Sequence, residues 1–258
     1  MKFSKWHGLG NDFIIIEPGD EFDAAWLCDR HFGVGADGVV TVLPLGNGEC
    51  EMRIYNADGT ETEMCGNASR CVGMYLKKYI FPERSEFTLH TRAGIIRPDL
   101  CVNGTVRVDM GKPRLICERI ELDYAGKRFD AVGVSMGNPH AVIFVPDISR
   151  IELEKWGAAF ECDAKFPHKT NVEFVEVLAP GRIRMRVWER GCGVTLACGT
   201  GSCASVVAGV LSGRTARSVI VRLDGGELDI EYASHNDHVY MSGPAVEVFR
   251  GEINEVRS

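Results

Sequence analysis

The sequence has no apolar run approaching the ~18 residues a membrane-spanning helix needs. Its first residues, Met1-Lys2-Phe3-Ser4-Lys5-Trp6-His7-Gly8, lack the apolar stretch of a secretory signal. We therefore expect a cytoplasmic chain with no membrane partner. A basic excess is also missing: 29 Lys and Arg stand against 36 Asp and Glu, a formal charge of -7. That balance argues against a nucleic-acid partner, and no block of like charge is long enough to form a tail. Nor is there a Cys-x-x-Cys pair, although the chain has ten cysteines. Five residues separate Cys65 from Cys71 and Cys192 from Cys198, and four separate Cys198 from Cys203. These spacings miss the usual zinc patterns, so no metal is read here. In a cytoplasmic chain of 258 residues the thiols are expected to be reduced. Most, with Cys71, Cys192 and Cys203 among them, are expected to be small buried residues.

What the chain does contain is an internal echo. Met52-Arg53-Ile54-Tyr55-Asn56 aligns with Met185-Arg186-Val187-Trp188-Glu189 at an offset of 133 (185 − 52). The same offset carries Thr62 to Thr195, Cys65 to Cys198, Gly66 to Gly199 and Ser69 to Ser202. It is close to half the chain, as a duplicated domain would give. In each copy an alternating strand (52–55; 183–188) leads through a polar loop to Cys-Gly and then a helix. Apolar residues at 68, 71, 72, 75, 76, 79 and 80 trace one helical face. The second helix, 202–211, is small or apolar nearly all round and should be almost wholly buried, with Gly213 as its stop.

Short alternating segments at 13–16, 39–43, 87–90, 105–110, 141–145 and 172–177 read as strands. Segments 22–32 and 151–160 read as helices. The fold class is α/β (α+β), rich in strands, with a domain boundary at the turn-rich Gly111-Lys112-Pro113. We expect an N-terminal domain over 1–112, joined by a C-terminal strand within 244–258, and a second domain over 113–243. The stretch Gly33-Val34-Gly35-Ala36-Asp37-Gly38 matches G-x-G-x-x-G. A dinucleotide site needs a strand before it and a helix after it; here the order is reversed, so no nucleotide cofactor is expected.

A helix start presents unpaired N–H groups and a partial positive charge. Cys65-Gly66-Asn67 and Cys198-Gly199-Thr200-Gly201 each place a thiol there, beside backbone that can approach an anion. The dipole, worth ~0.3–2 kcal/mol, favours thiolate by roughly one pKa unit. Two such thiols in related halves fit a particular task. A substrate carboxylate between the helix starts would have a sulfur on either face of its α-carbon. Inverting that carbon needs a base on one face and an acid on the other, and the N–H groups stabilise the charge that develops. No cofactor is required.

These residues resemble those of the diaminopimelate epimerases. The likeness spans nearly the whole chain: Gly8-Leu9-Gly10-Asn11-Asp12-Phe13, Gly33-Val34-Gly35-Ala36-Asp37, Asn56-Ala57-Asp58-Gly59, Cys65-Gly66-Asn67, Met136-Gly137-Asn138-Pro139-His140, Asn171-Val172, Glu189-Arg190-Gly191, Ala197-Cys198-Gly199-Thr200-Gly201 and Gly243-Pro244-Ala245. The resemblance implies two pseudo-symmetric domains, each a curled mixed sheet around a central helix, with the site between them, and a homodimer. It implies an enzyme that interconverts LL- and meso-diaminopimelate for lysine and peptidoglycan synthesis. Cys65 would be the base toward the LL isomer and Cys198 the acid. Gly66, Asn67, Gly199 and Thr200 would hold the reacting carboxylate. Asn56, Glu189 and Arg190, joined by Asn11, Asn138 and Asn171, would contact the amine and the distal carboxylate. His140 matches a family histidine that tunes a thiol.

Without the resemblance, Asn56, Asn138 and Asn171 read as turn residues and Arg190 as a surface charge. His140 is open between a site residue and a packing residue. The sequence departs from the family at Gly38, where many members have glutamine, and at Ala68, which adds a methyl expected near the substrate. Relatives of this fold racemise other amino acids, histidine included, so a different amino-acid substrate is the alternative. Arg190 and the three asparagines weigh against it. A thiol redox protein using Cys65 and Cys198, or a binding protein without catalysis, are further readings that the spacing and the retained thiols disfavour.

Overall fold

In the computed structural model the described residues are 1–17, 19 and 21–254. The chain divides into two units, Met1–Val108 with the segment returning from Gly243, and Asp109–Ser242. Of the strand expected within 244–258, positions 255–258 lie outside the described residues. No helix of the described residues is long and apolar enough to cross a membrane.

The first unit is a mixed sheet. Lys2–Gly8 pairs antiparallel with Asn11–Ile16, which pairs parallel with Gly38–Gly46. Gly38–Gly46 pairs antiparallel with Glu49–Asn56, which pairs parallel with Thr88–Thr91, and that strand turns back into Gly94–Ile96. Val246–Glu252 closes the other edge against Lys2–Gly8. Helix α1 (Ala24–Cys28) is shorter than the helix expected over 22–32. Asp23 caps its start by accepting from the Trp26 N–H. One carboxylate oxygen of Asp29 then accepts from the N–H groups of His31 and Phe32 and turns the chain away. Helix α2 (Gly66–Tyr75) continues into a wider π-helical turn, Leu76–Ile80. Its Ala68, Cys71, Val72, Tyr75 and Leu76 share one core with Trp6, Val40, Val42, Met52, Ile54 and Leu89. Those partners come from four strands, so the sheet curls round the helix.

The second unit repeats the plan. Lys127–Ser135, Pro139–Phe144, Asn171–Ala179, Arg182–Glu189, Ser218–Leu223 and Gly226–Tyr232 pair in turn antiparallel, parallel, antiparallel, parallel and antiparallel. The first unit has the same series. The offset holds end for end: 133 added to Glu49–Asn56 gives Arg182–Glu189. Helix α3 (Leu153–Glu161) packs Trp156 and Phe160 on the outer face of this sheet, against Phe174. Helix α4 (Gly199–Leu211) touches both Lys127–Ser135 and Gly226–Tyr232, five places apart in the strand order. A sheet whose distant strands meet one helix must wrap around it. The buried hydroxyls of Ser202 and Ser205 bond to carbonyls four residues back, at Cys198 and Gly201.

Lys2–Gly8 and the hairpin of Ser218–Leu223 with Gly226–Tyr232 fall outside the sequence-based expectation, and so does a longer hairpin. Arg114–Tyr124 and Lys127–Ser135 meet at Ala125 and Gly126, both at positive φ. Its first strand is exposed over 114–119, and apolar alternation is confined to Ile120, Leu122 and Tyr124. The cysteines also divide more evenly than expected. Cys28, Cys50, Cys71, Cys198 and Cys203 are buried, whereas Cys117, Cys162 and Cys192 are exposed. Cys192 lies in a surface turn, its N–H bonded to the Glu189 carbonyl, which explains why burial fails there.

Candidate active site

Cys65 is the N-cap of α2 and Cys198 the N-cap of α4, both with extended backbone (φ -142° and -123°). Each sulfur therefore sits beside N–H groups that have no partner within its own helix. The two surroundings differ.

Around Cys65 the chemistry is amide and cation. Its sulfur is half-buried and 3.9 Å from Asn11 Oδ1. That oxygen accepts from Asn67 Nδ2 at 3.0 Å, and Asn67 Oδ1 accepts from the fully buried guanidinium of Arg70 at 2.9 Å. Asn11 Nδ2 donates to Asp37 at 2.9 Å. Asp37 shares Arg30 with Asp12, whose carboxylate also pairs with Lys5 at 2.8 Å. Burial acts to raise the Asp12 pKa, but the hydrogen bonds from Arg30 and Lys5 outweigh it and bring it to about 2. Gly66 opens the helix, buried beside Asn67. Asn56 is exposed and turns its amide to Thr60 at 3.0 Å.

Around Cys198 the chemistry is carboxylate. The sulfur is 5% exposed, accepts from the Gly201 N–H at 3.4 Å and lies 3.6 Å from Thr200 Oγ1. Burial pushes its pKa well above the usual thiol value, reinforced by the charges of Glu189 and Glu173. The helix start was expected to favour thiolate here; desolvation and the two carboxylates outweigh it. Burial likewise raises the Glu189 pKa, against a hydrogen bond from Thr195. Asn138 donates to Thr200 Oγ1 and presents its oxygen to His140 Nε2 at 3.0 Å. His140 is buried, its Nδ1 2.7 Å from Glu173. Asn171 bonds to backbone on both sides, and Arg190 is exposed, its guanidinium 3.3 Å from the His168 carbonyl. Gly199 is the buried first residue of α4.

The model of the diaminopimelate epimerase family matches residues 3–116 and 132–248. The chain belongs to the diaminopimelate epimerase family. It is 47% identical to the diaminopimelate epimerase of Elusimicrobium minutum, covering 99% of this chain and 100% of that protein. It is 49% identical to that of Desulforudis audaxviator, over 98% and 99% of the two chains. The fold is also that of a hydroxyproline epimerase from Agrobacterium vitis, with a TM-score of 0.76, 15% identity, and 98% and 90% of the chains covered.

The two departures from this family's pattern have local explanations. A Cβ at Gly38 would stand 2.7 Å from the Tyr55 carbonyl and 3.5 Å from the Phe13 ring. Any side chain there requires the backbone to move. The Ala68 methyl, expected near the substrate, is instead fully buried in the α2 core.

Three side chains that organise these helix starts or the turn after Glu189 escaped the sequence reading. Glu173 leaves a trace, a carboxylate inside the apolar run Asn171-Val172-Glu173-Phe174-Val175. Arg70 leaves none, since an arginine in a helix normally reads as surface. Glu161 accepts from Trp188 Nε1 at 2.8 Å and from the Gly191 N–H at 3.0 Å, and so anchors the turn after Glu189.

Proposed function

We propose that this enzyme inverts one α-carbon of LL-diaminopimelate to give the meso isomer, with Cys65 and Cys198 acting on opposite faces and no pyridoxal cofactor. The single observation that carries the reading is the position of both thiols as N-caps of repeat-related helices. Family membership supports the substrate. The raised pKa of Cys198 supports its role as the resting acid, which leaves Cys65 to take the α-proton from the LL isomer. Reversal exchanges the roles. The first N–H groups of the two helices, at Gly66, Asn67, Gly199 and Thr200, receive the carboxylate and the charge that builds on it. Arg190 suits the distal carboxylate, because its planar fork binds one bidentately. Asn11, Asn56, Asn138, Asn171 and Glu189 supply the remaining polar contacts. The reading includes a cytoplasmic homodimer feeding lysine and peptidoglycan synthesis.

Incubation with LL-diaminopimelate in D₂O under reductant tests it. Deuterium should enter the α-position, and meso product should form without added cofactor. Absence of exchange overturns the reading, and exchange confined to another amino acid reassigns the substrate. Cys65→Ala and Cys198→Ala should each lower epimerisation by at least about 100-fold, because inversion needs both an acid and a base.

A further inference from the structure

Behind the Cys198 helix start runs a chain of polar side chains whose far end has no part in the scheme above. Glu173 Oε1 lies 2.7 Å from Nδ1 of His140, and neither side chain reaches solvent. His140 Nε2 lies 3.0 Å from Asn138 Oδ1. Asn138 Nδ2 donates to Thr200 Oγ1 at 3.3 Å, and that hydroxyl is 3.6 Å from the Cys198 sulfur. Five side chains thus link a buried carboxylate to a thiol.

The polarity of this chain follows from what each atom can donate. A carboxylate only accepts, so Nδ1 carries a proton toward Glu173. The Asn138 oxygen also accepts, so Nε2 donates as well. Both ring nitrogens are then donors, and Glu173 balances the imidazolium. Thr200 Oγ1 already accepts from Asn138, which leaves its own hydrogen for the sulfur. That hydrogen bond favours the thiolate that remains once Cys198 has given up its proton.

Glu173 has no evident structural reason to be a carboxylate. It lies in an apolar strand, and its Oε2 is buried without a hydrogen-bond partner among the described residues. A hydrophobic side chain would avoid that desolvation. The charged and titratable groups facing this cluster are Glu173 from its own strand, His140 from the parallel neighbour, Glu189 from the antiparallel one, and Cys198 from α4.

We propose that Glu173 is a positioning residue for Cys198: it holds His140 as the doubly protonated donor that orients Asn138 and Thr200 toward the sulfur. Only the kinetic part of its test rests on the two-thiol reading above. Glu173→Gln removes the carboxylate whose charge raises the Cys198 pKa together with the imidazolium that offsets it, so the two changes of charge largely cancel. What is lost is the polarity of the chain, and with it the donor to the thiolate.

The experiment combines ring-nitrogen NMR of ¹⁵N-histidine protein with pH profiles of α-proton exchange. In the wild type at neutral pH both His140 nitrogens should appear protonated, with His140→Asn assigning the signals. In Glu173→Gln one nitrogen should become bare. In kinetics Glu173→Gln should lower kcat about 100-fold, with KM changed less than about twofold. The limb of its profile that reports Cys198 ionisation should move up by about one pH unit, a shift typical of one charge-assisted hydrogen bond. A fall in Tm with this limb unmoved would make Glu173 merely structural. A bare nitrogen in wild-type His140 overturns the proposal whether or not the variant folds. If the wild type exchanges no α-proton, the two-thiol reading fails while the NMR still decides the role of Glu173.

Discussion

The side chain of Asn171 joins two backbone segments of the second unit: its Nδ2 donates to the Pro139 carbonyl at 2.8 Å, and its Oδ1 accepts from the Arg190 N–H at 2.9 Å. Asn171 is 4% exposed, so its own amide depends on these two bonds. The bridge ties the turn carrying Glu189 and Arg190 to the strand that begins beside Asn138. Asn171→Leu keeps the volume but leaves a part-buried acceptor and donor unmet, a cost of about 1–3 kcal/mol in all. We expect urea unfolding to show a loss in that range. KM should rise more than kcat falls, because the turn carrying Arg190, the proposed contact of the distal carboxylate, is loosened. An unchanged midpoint and an unchanged KM would refute this.

Thiol chemistry should separate Cys198 from the other cysteines. It is buried, and its pKa is pushed well above the ordinary thiol value by burial and by Glu189 and Glu173. The thiolate is the species that alkylates. With limiting iodoacetamide at pH 7.5, peptide mapping should find exposed Cys117, Cys162 and Cys192 modified first and Cys198 hardly at all. Glu189→Gln removes one of the two opposing charges and should speed modification of Cys198 several-fold. Early labelling of wild-type Cys198 would contradict the raised pKa.

The thiol positions were legible because helix starts and repeats leave local marks. The strand, polar loop and Cys-Gly are contiguous in sequence, so the 133-residue offset found both N-caps without tertiary information. Ionisation was not legible. The dipole of α4 is local, but the carboxylates that outweigh it come from Glu173 and Glu189, 25 (198 − 173) and 9 (198 − 189) positions away. Ala68 was read two ways: the apolar face through 68, 71, 72, 75 and 76 put it in the core, where it lies, while the resemblance put its methyl near the substrate. The end of α1 was misjudged because apolar spacing continues to Phe32, while one Asp29 oxygen ends the helix through two N–H bonds. The strand Arg114–Tyr124 is exposed over 114–119, and only Ile120, Leu122 and Tyr124 alternate inward, too short a signal to mark its full length.

Acid should expose the Asp12 cluster. Arg30 and Lys5 outweigh burial and lower the Asp12 pKa from the ordinary 3.8 to about 2. A carboxyl whose folded pKa lies below its unfolded value stabilises the fold fully above the unfolded pKa. That contribution is lost as pH falls through the folded pKa, here between about pH 4 and pH 2. At ~1.4 kcal/mol per unit it is on the order of 2 kcal/mol. Asp12→Asn should therefore lower stability at pH 7 by about that amount and flatten the acid limb in this window. Urea midpoints measured from pH 7 to pH 2 check it; parallel acid limbs for variant and wild type would refute it.

The first turn of α4 leaves no space for a methyl at Gly201. A Cβ there would lie 2.6 Å from Glu173 Oε1 and 3.3 Å from the Cys198 Cβ. The glycine is not at positive φ, so conformational strain is not the obstacle. The obstacle is the carboxylate, which has no room to retreat within a buried strand. Gly201→Ala must push Glu173 away from His140 or shift the helix start that holds Cys198. Overpacking of this kind costs about 1–3 kcal/mol, and either displacement should lower kcat well beyond what the stability loss explains. Gly181→Ala is the control: its nearest atom would be the Ser218 carbonyl oxygen at 3.8 Å, an ordinary contact. We expect that variant to stay within about 0.5 kcal/mol of the wild type with full activity. Equal effects from the two substitutions, read by urea unfolding and α-proton exchange side by side, would show that the packing at Gly201 is not what limits the site.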